Sequence, residues 1–323
     1  MTNFKKIGLT ALAGTLAATT FAQAGDLSVS GTARMEYQST TTKAVNTGHG
    51  GTDRTDSSST DTFAQNTSIS FTGSGELDNG MKVSYLQVQA SGAMTSQGVT
   101  LDMGDMGTVA MTNYNVAGIG TIQDMVPNGG EQPWDDLGTT HGGPADGIAS
   151  PHAGNRIGYK TSQGGAIISA AVNYEFASPT TSIAIQLPNL VEGLNIGAGL
   201  ASDQATEDTE NDIETMFISY SFADLGLSIG AQSTDINVQT ATSDIERASY
   251  GISYVFPGDN ISIGYGVSTV EYEALSNDEE SKGFGAAYTS GGMKLGVIHN
   301  KKDNLNGGAS DMEMTELQLT FAF

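Results

Sequence analysis

From Leu27 to the terminal Phe323 the chain keeps returning to one pattern, an apolar residue followed by a small or polar one. A period of two is the mark of a strand whose faces meet different surroundings. Leu27, Val29, Gly31, Ala33, Met35 and Tyr37 share one face, while Ser28, Ser30, Thr32, Arg34 and Glu36 share the other. Thr67, Ile69, Phe71, Gly73, Gly75 and Leu77 alternate with Ser68, Ser70, Thr72, Ser74 and Glu76, and Asp78-Asn79-Gly80 then turns the chain tightly. After residue 24 no apolar run approaches the roughly 20 residues of a membrane-spanning helix. If this chain crosses a membrane, it crosses as strands.

The first residues indicate export. Lys5 and Lys6 precede an apolar stretch from Ile7 to Phe21, and Ala22-Gln23-Ala24 is an A-x-A cleavage site. Residues 1–24 therefore read as a signal peptide, with residues 25–323 as a single domain. Thr10, Thr15, Thr19 and Thr20 interrupt the stretch and argue against a membrane anchor. The chain has no cysteine, so thiol catalysis and thiolate metal sites are excluded, and an exported fold must hold without disulfides.

With 36 acidic residues against 13 basic ones, nucleic acid is not an expected partner. Hydrophobic residues make up only 38% and glycine is abundant, which is too little for a thick apolar core. A closed barrel with a wet, polar interior removes the conflict.

The connections alternate between short and long. Short turns centre on Asp78 to Gly80, Gly104 to Gly107, Gln163 to Gly165, Pro188 to Gly193, Ala223 to Gly226, Pro257 to Asn260 and Thr289 to Gly292. Longer loops run from Ser39 to Gln65, Gly92 to Gly98, Asn115 to Asn155, Glu175 to Thr181, Asp203 to Ile213, Asp235 to Ile245, Tyr272 to Ser281 and His299 to Asp311. Such alternation predicts an all-β, transmembrane antiparallel β-barrel of about sixteen strands. Leu194-Asn195-Ile196-Gly197, Leu227-Ser228-Ile229-Gly230 and Ile261-Ser262-Ile263-Gly264 repeat 33 and 34 residues apart, so one hairpin is the repeating unit.

In the last strand Thr315, Leu317, Leu319, Phe321 and Phe323 alternate with Glu316, Gln318 and Thr320. This ending, with the opening strand and the hairpin rhythm, resembles the Gram-negative general porins, and alphaproteobacterial members most closely. The resemblance covers the whole of residues 25–323. It implies an outer-membrane homotrimer of separate pores, each narrowed by a long third loop folded into the lumen. It also implies that Phe323 is part of the signal read by the barrel-assembly machinery. Where the family's third loop often bends at Pro-Glu-Phe-Gly-Gly, this chain has Pro127-Asn128-Gly129-Gly130-Glu131 and keeps only the proline and glycines.

The third connection carries Asp124, Glu131, Asp135, Asp136 and Asp146, with the single tryptophan, Trp134. At this length a connection usually has a function, and these acids are the expected constriction. By strand phase Arg34, Arg156 and Lys160 point to the polar side and are the expected basic residues of the pore wall. Lys82 and Lys294 share that phase but follow short turns, which puts them far from mid-barrel. Acidic clusters such as Glu207, Asp208, Glu210 and Asp212, or Asp278, Glu279 and Glu280, are conceivable Ca²⁺ ligands without EF-hand spacing. His141, His152 and Asp146 lack diagnostic metal spacing, and no resident cofactor or metal is expected.

No H-E-x-x-H, P-loop or G-x-S-x-G motif occurs, so no enzymatic activity is expected. The expected function is passive diffusion of small hydrophilic solutes and ions through a cation-preferring channel embedded in outer-membrane lipid. The alternative is a channel selective for one nutrient, such as a sugar. That would need aromatics in the lumen, whereas Tyr37, Tyr85, Tyr159, Tyr250, Tyr254, Phe256, Tyr288, Phe321 and Phe323 all fall in the apolar phase.

Overall fold

The computed structural model describes residues 25–47, 53–132, 134, 137, 155–173, 180–206, 209–238, 244–258 and 260–323. The expected signal peptide lies outside them. The described residues form sixteen strands. The first four are β1 (Leu27–Thr47), β2 (Asp53–Glu76), β3 (Lys82–Ala90) and β4 (Ala93–Asp102), followed by β5 (Thr108–Thr112), β6 (Arg156–Gln163), β7 (Ala166–Asn173) and β8 (Thr180–Pro188). Then come β9 (Leu194–Thr206), β10 (Thr209–Phe222), β11 (Leu227–Val238) and β12 (Ile245–Val255). The last are β13 (Ile261–Tyr272), β14 (Glu279–Ser290), β15 (Met293–Asp303) and β16 (Ser310–Ala322).

Each strand pairs antiparallel with its sequence neighbours, and β16 returns to β1 from Thr32↔Ala322 to Ala44↔Ser310, so the sheet has no lateral end. Closure satisfies the backbone donors and acceptors that an open edge would expose to lipid. Carrying the pairings once round the circuit from Leu27 leads to the level of Thr47, a stagger of about 20 residues. For sixteen strands that stagger corresponds to a tilt of about 40°.

The alternation sorts the faces as expected. Val29, Met35, Val99, Met111, Ile157, Met216 and Ile218 are exposed on one face. Their opposite-phase neighbours Thr112, Arg156, Thr215 and Phe217 are buried on the other. The exposed face forms an apolar band suited to lipid, where each large aliphatic side chain removed from water contributes about 1.5–3 kcal/mol. Tyr85, Tyr159, Tyr250, Tyr288 and Phe323 lie on that face, the placement required of interfacial aromatics.

All seven short turns fall where the sequence puts them, and the third connection keeps its expected length, whereas the first two long loops are shorter than expected. The expected loop from Ser39 to Gln65 is mostly strand: β1 and β2 stay paired out to Thr47↔Asp53, well beyond the end of β3 at Ala90. Ser57 to Asn66 of this serine- and threonine-rich ribbon are exposed on both faces and have no reason to alternate, so the strand signal vanishes while the pairing persists. Likewise the expected loop from Gly92 to Gly98 is a tight turn at Ser91-Gly92, both at positive φ, with β4 starting at Ala93.

The polarity also reverses near the long-loop end of β10 to β13. Ile213, Ile236, Ile245, Val270 and Tyr272 are buried on the polar-phase face. Glu214, Asp235, Glu246 and Glu271 stand opposite one another in a single row on the other face. On this stretch one face carries acids, and the buried residues of the other pack against Ile119, Ile122, Val126 and Trp134 of the third connection.

Candidate functional site

The third connection leaves β5 at Thr112 and rejoins the sheet at Arg156. Its described part lies against the polar-phase face of the wall from β6 round to β1. Gly118–Ile122 forms a short 3-10 turn whose ends are caught by wall side chains. Ser182 Oγ accepts from the Ile119 amide at 3.2 Å, and Ser169 Oγ donates to the Gly118 carbonyl at 3.1 Å. Gln186 donates to the Thr121 carbonyl at 2.9 Å.

Farther along, Gln232 of β11 grips the backbone twice, donating to the Ile122 carbonyl at 2.8 Å and accepting from the Met125 amide at 3.0 Å. Ser262 of β13 donates to the Gly129 carbonyl at 3.0 Å, and Asn300 of β15 donates to the Gln132 carbonyl at 3.2 Å. Backbone groups that leave a sheet need such partners, because an unmet buried one costs about 1–3 kcal/mol.

Apolar packing adds to these bonds. Ile119, Ile122, Val126 and Trp134 are buried in one cluster with Ile213, Phe217, Ile236, Ile245, Val270 and Tyr272 of the wall. Phe217 and Tyr272 are polar-phase aromatics that sequence reasoning missed. Both are buried beneath the connection, which leaves no aromatic track along an open surface there.

The expected acids sit as follows. Asp124 is exposed, and its carboxylate accepts a hydrogen bond from the Gln132 amide, which in turn accepts from Trp134 Nε1 at 2.6 Å. Glu131 is largely covered; its Oε2 accepts from Gln318 at 2.6 Å, and its Oε1 lies 3.9 Å from Arg34 Nη1. Asp135, Asp136, Asp146, His141 and His152 lie outside the described residues.

The three expected bases do not form one patch facing the connection. Arg34 contacts it directly and is also bound to Glu36 at 2.8 Å. Arg156 is buried at the root of the connection, where it donates to Asn115. Lys160 is exposed and lies close to the Gln163–Gly165 turn, at the short-turn end. Strand phase carries no information on height along the barrel, and height is what separates the three.

Lys294, set aside as too near a turn, comes within 3.5 Å of the Gly130 carbonyl. The tilt of the strands carries this part of β15 towards the Gly129–Glu131 stretch of the connection. Two further inward bases were missed. Arg247 is buried on β12, and Lys302 is fully buried 3.3 Å from Glu279, which also accepts from the Asn306 amide. Their neighbours Ile245 and Ile298 are apolar and inward, so the apolar-outside rule hid them.

Of the acidic clusters, Asp278, Glu279 and Glu280 do not converge on one point, since Glu279 turns to Lys302 and Glu280 to Lys282. Among the described residues no three histidine or acidic side chains are placed to share a metal ion. Glu207 and Asp208 lie outside the described residues.

At the closing seam, the Phe323 amide donates to the Gly31 carbonyl at 2.9 Å, and the Gly31 amide donates to the Phe323 carbonyl at 3.2 Å. The phenylalanine ring is 79% exposed on the apolar face.

A search of curated protein sequences finds no match. Solved structures share the architecture. A porin refined at 1.8 Å resolution superposes with a TM-score of 0.67 at 16% identity, over 92% of this chain and 100% of that one. An anion-selective porin from Comamonas acidovorans gives 0.69 at 14% identity, over 93% and 100%. A multiply substituted Rh. blastica porin gives 0.62 at 16% identity, over 92% and 100%. At these identities the likeness establishes the fold. The Gram-negative porin sequence profile matches residues 8–323, nearly the whole chain. A closed sixteen-stranded barrel with an apolar outer band, matched by that profile along its length, is an outer-membrane β-barrel, and the chain belongs to the Gram-negative porin family.

Proposed function

We propose that the polar face encloses a water-filled channel for passive diffusion of small hydrophilic solutes and ions, that the third connection narrows it, and that it favours cations. The observation carrying this reading is the course of the connection from Ser182 on β8 to Arg34 on β1. Nine strand spacings separate those contacts along the wall, at least roughly 43 Å at ~4.8 Å each. The stretch from Ile119 to Glu131 reaches no more than roughly 43 Å even fully extended, and the 3-10 turn shortens it. A path outside the wall is longer still. A path inside, on a smaller radius, is within reach.

The charges favour cations. Arg34 is held between Glu36 and Glu131, Arg156 is buried at Asn115, and Lys160 lies towards the short-turn end, while Asp124 is exposed. Carboxylates at a narrow point attract cations and repel anions. The nutrient-selective alternative finds no support, because Phe217, Tyr272 and Trp134 are buried rather than lining open space.

Planar-bilayer recording of the purified protein tests the reading. Stable open channels with a cation-positive reversal potential under a KCl gradient are expected, and a protein without conductance ends the proposal. By resemblance the unit is a trimer, and mass measurement in mild detergent showing only monomers would exclude it.

A further inference from the structure

We infer that a row of inward glycines on β9 and on β11 to β13 forms a seat for the third connection, and that the depth of this seat sets the width of the pore. The inference rests on the reading that the connection narrows a lumen. It concerns the wall rather than the pore-facing charges.

The glycines are Gly199 on β9, Gly230 on β11, Gly251 on β12 and Gly264 on β13. A Cβ at Gly199 would lie 2.9 Å from both Ile119 Cγ1 and Ile122 Cδ1. One at Gly230 would lie 2.6 Å from Pro127 Cδ, and one at Gly251 would strike the Pro127 carbonyl and stand 2.5 Å from Val126 Cγ1. At Gly264 it would collide with the backbone of Gly129, and the reverse holds for a Cβ at Gly129. On the next strand, β14, Gly285 is in ordinary contact with Gly130 and Glu131.

Glycine weakens a strand interior by about 0.5–1 kcal/mol relative to alanine, so several at matching inward positions need a reason. Close backbone approach supplies one. Two of them, Gly230 and Gly264, close the Leu-Ser-Ile-Gly and Ile-Ser-Ile-Gly repeats. Two of the three copies of the repeat thus place a glycine under the connection. At Gly251 and Gly264 the opposing atoms are backbone, which cannot swing aside as a side chain would. An added methyl must displace the connection away from the wall, into the open cross-section.

The test is single-channel conductance of Gly251→Ala and Gly264→Ala, each shown to assemble as the wild type does. A shift of ~1–2 Å across a close-packed contact predicts conductance on the order of 1.5-fold lower. Gly230→Ala should fall likewise, and Pro127→Ala in the same chain should restore it by removing the opposing Cδ. If the first two variants do not assemble, this pair decides. Gly73→Ala is the control: its Cβ meets nothing within 4 Å, and its conductance should not change. Wild-type conductance in the assembled seat variants, or an equal fall in Gly73→Ala, overturns the seat. Failure of the constriction itself reads differently, as reversal potentials unmoved by Asp124→Asn and Glu131→Gln.

Discussion

Arg34 on the first strand and Glu131 near the middle of the third connection approach to 3.9 Å, and the same guanidinium binds Glu36 at 2.8 Å. One base therefore faces two carboxylates, and the group as a whole is negative. Replacing Arg34 with glutamine should raise cation preference, and Glu131→Gln should lower it. A unit charge about 6 Å from the ion path in a water-like dielectric is worth ~0.7 kcal/mol, roughly a threefold change in permeability ratio. Reversal potentials check both signs. Equal shifts in the same direction for the two variants would contradict the arrangement.

Asp124 is exposed on the same connection, while Glu214, Glu246 and Glu271 are exposed in a row near the long-loop end of the barrel. The two groups should separate by salt. Screening acts over about 10 Å at 0.1 M and about 3 Å at 1 M, so remote acids lose influence first. Cation preference that persists at 1 M and drops in Asp124→Asn locates the selectivity in the connection. Preference confined to dilute salt and insensitive to Asp124→Asn locates it at the rim.

Deleting Phe323 removes the two backbone bonds it exchanges with Gly31, next to the outermost Thr32↔Ala322 pairing of the β1–β16 seam. Each bond is worth about 0.5–1.5 kcal/mol net, and more where lipid offers no substitute partner. Outer-membrane levels should drop severely on deletion and only mildly for Phe323→Tyr, which keeps the bonds and an aromatic ring. Immunoblotting of isolated outer membranes measures this; undiminished levels of the deletion variant would argue against a role in assembly.

What was legible in the sequence follows from where the environments differ. Met216 and Ile218 alternate with Thr215 and Phe217 in the lipid zone, and there phase assigned the exposed face correctly. The short turns were equally plain, since Asn189, Gly193, Gly226 and Gly258 adopt the positive φ that such turns require. Ser57 to Asn66 are exposed on both faces, so nothing in their order announced the long β1–β2 ribbon. Arg247 and Lys302 stayed hidden for another reason, because Ile245 and Ile298, buried on the same face, break the rule that apolar residues point outward. The glycines that close the repeat were visible as part of a hairpin period. What they accommodate was not.

Trp134 offers a direct report on the connection. Its indole N–H donates to the Gln132 amide oxygen at 2.6 Å, the other end of that amide donates to Asp124, and the Gln132 carbonyl accepts from Asn300. Gln132 is thus the joint between a buried aromatic, an exposed acid and the wall. Gln132→Leu keeps the bulk and the backbone bond but removes both side-chain bonds, leaving the buried indole N–H without its acceptor at a cost of about 1–3 kcal/mol. Since this is the only tryptophan in the chain, its emission reads the local change without interference. We expect a shifted emission maximum, a less rigidly held Asp124 and noisier open-channel current, with barrel assembly unchanged because no strand pairing is touched. Gln132→Glu should disturb the site further, since its carboxylate would face Asp124 instead of donating to it, and lowering the pH should relieve that variant as the pair takes up a proton. A steady open-channel current and an unshifted emission maximum in Gln132→Leu would show that this joint does not hold the connection in place.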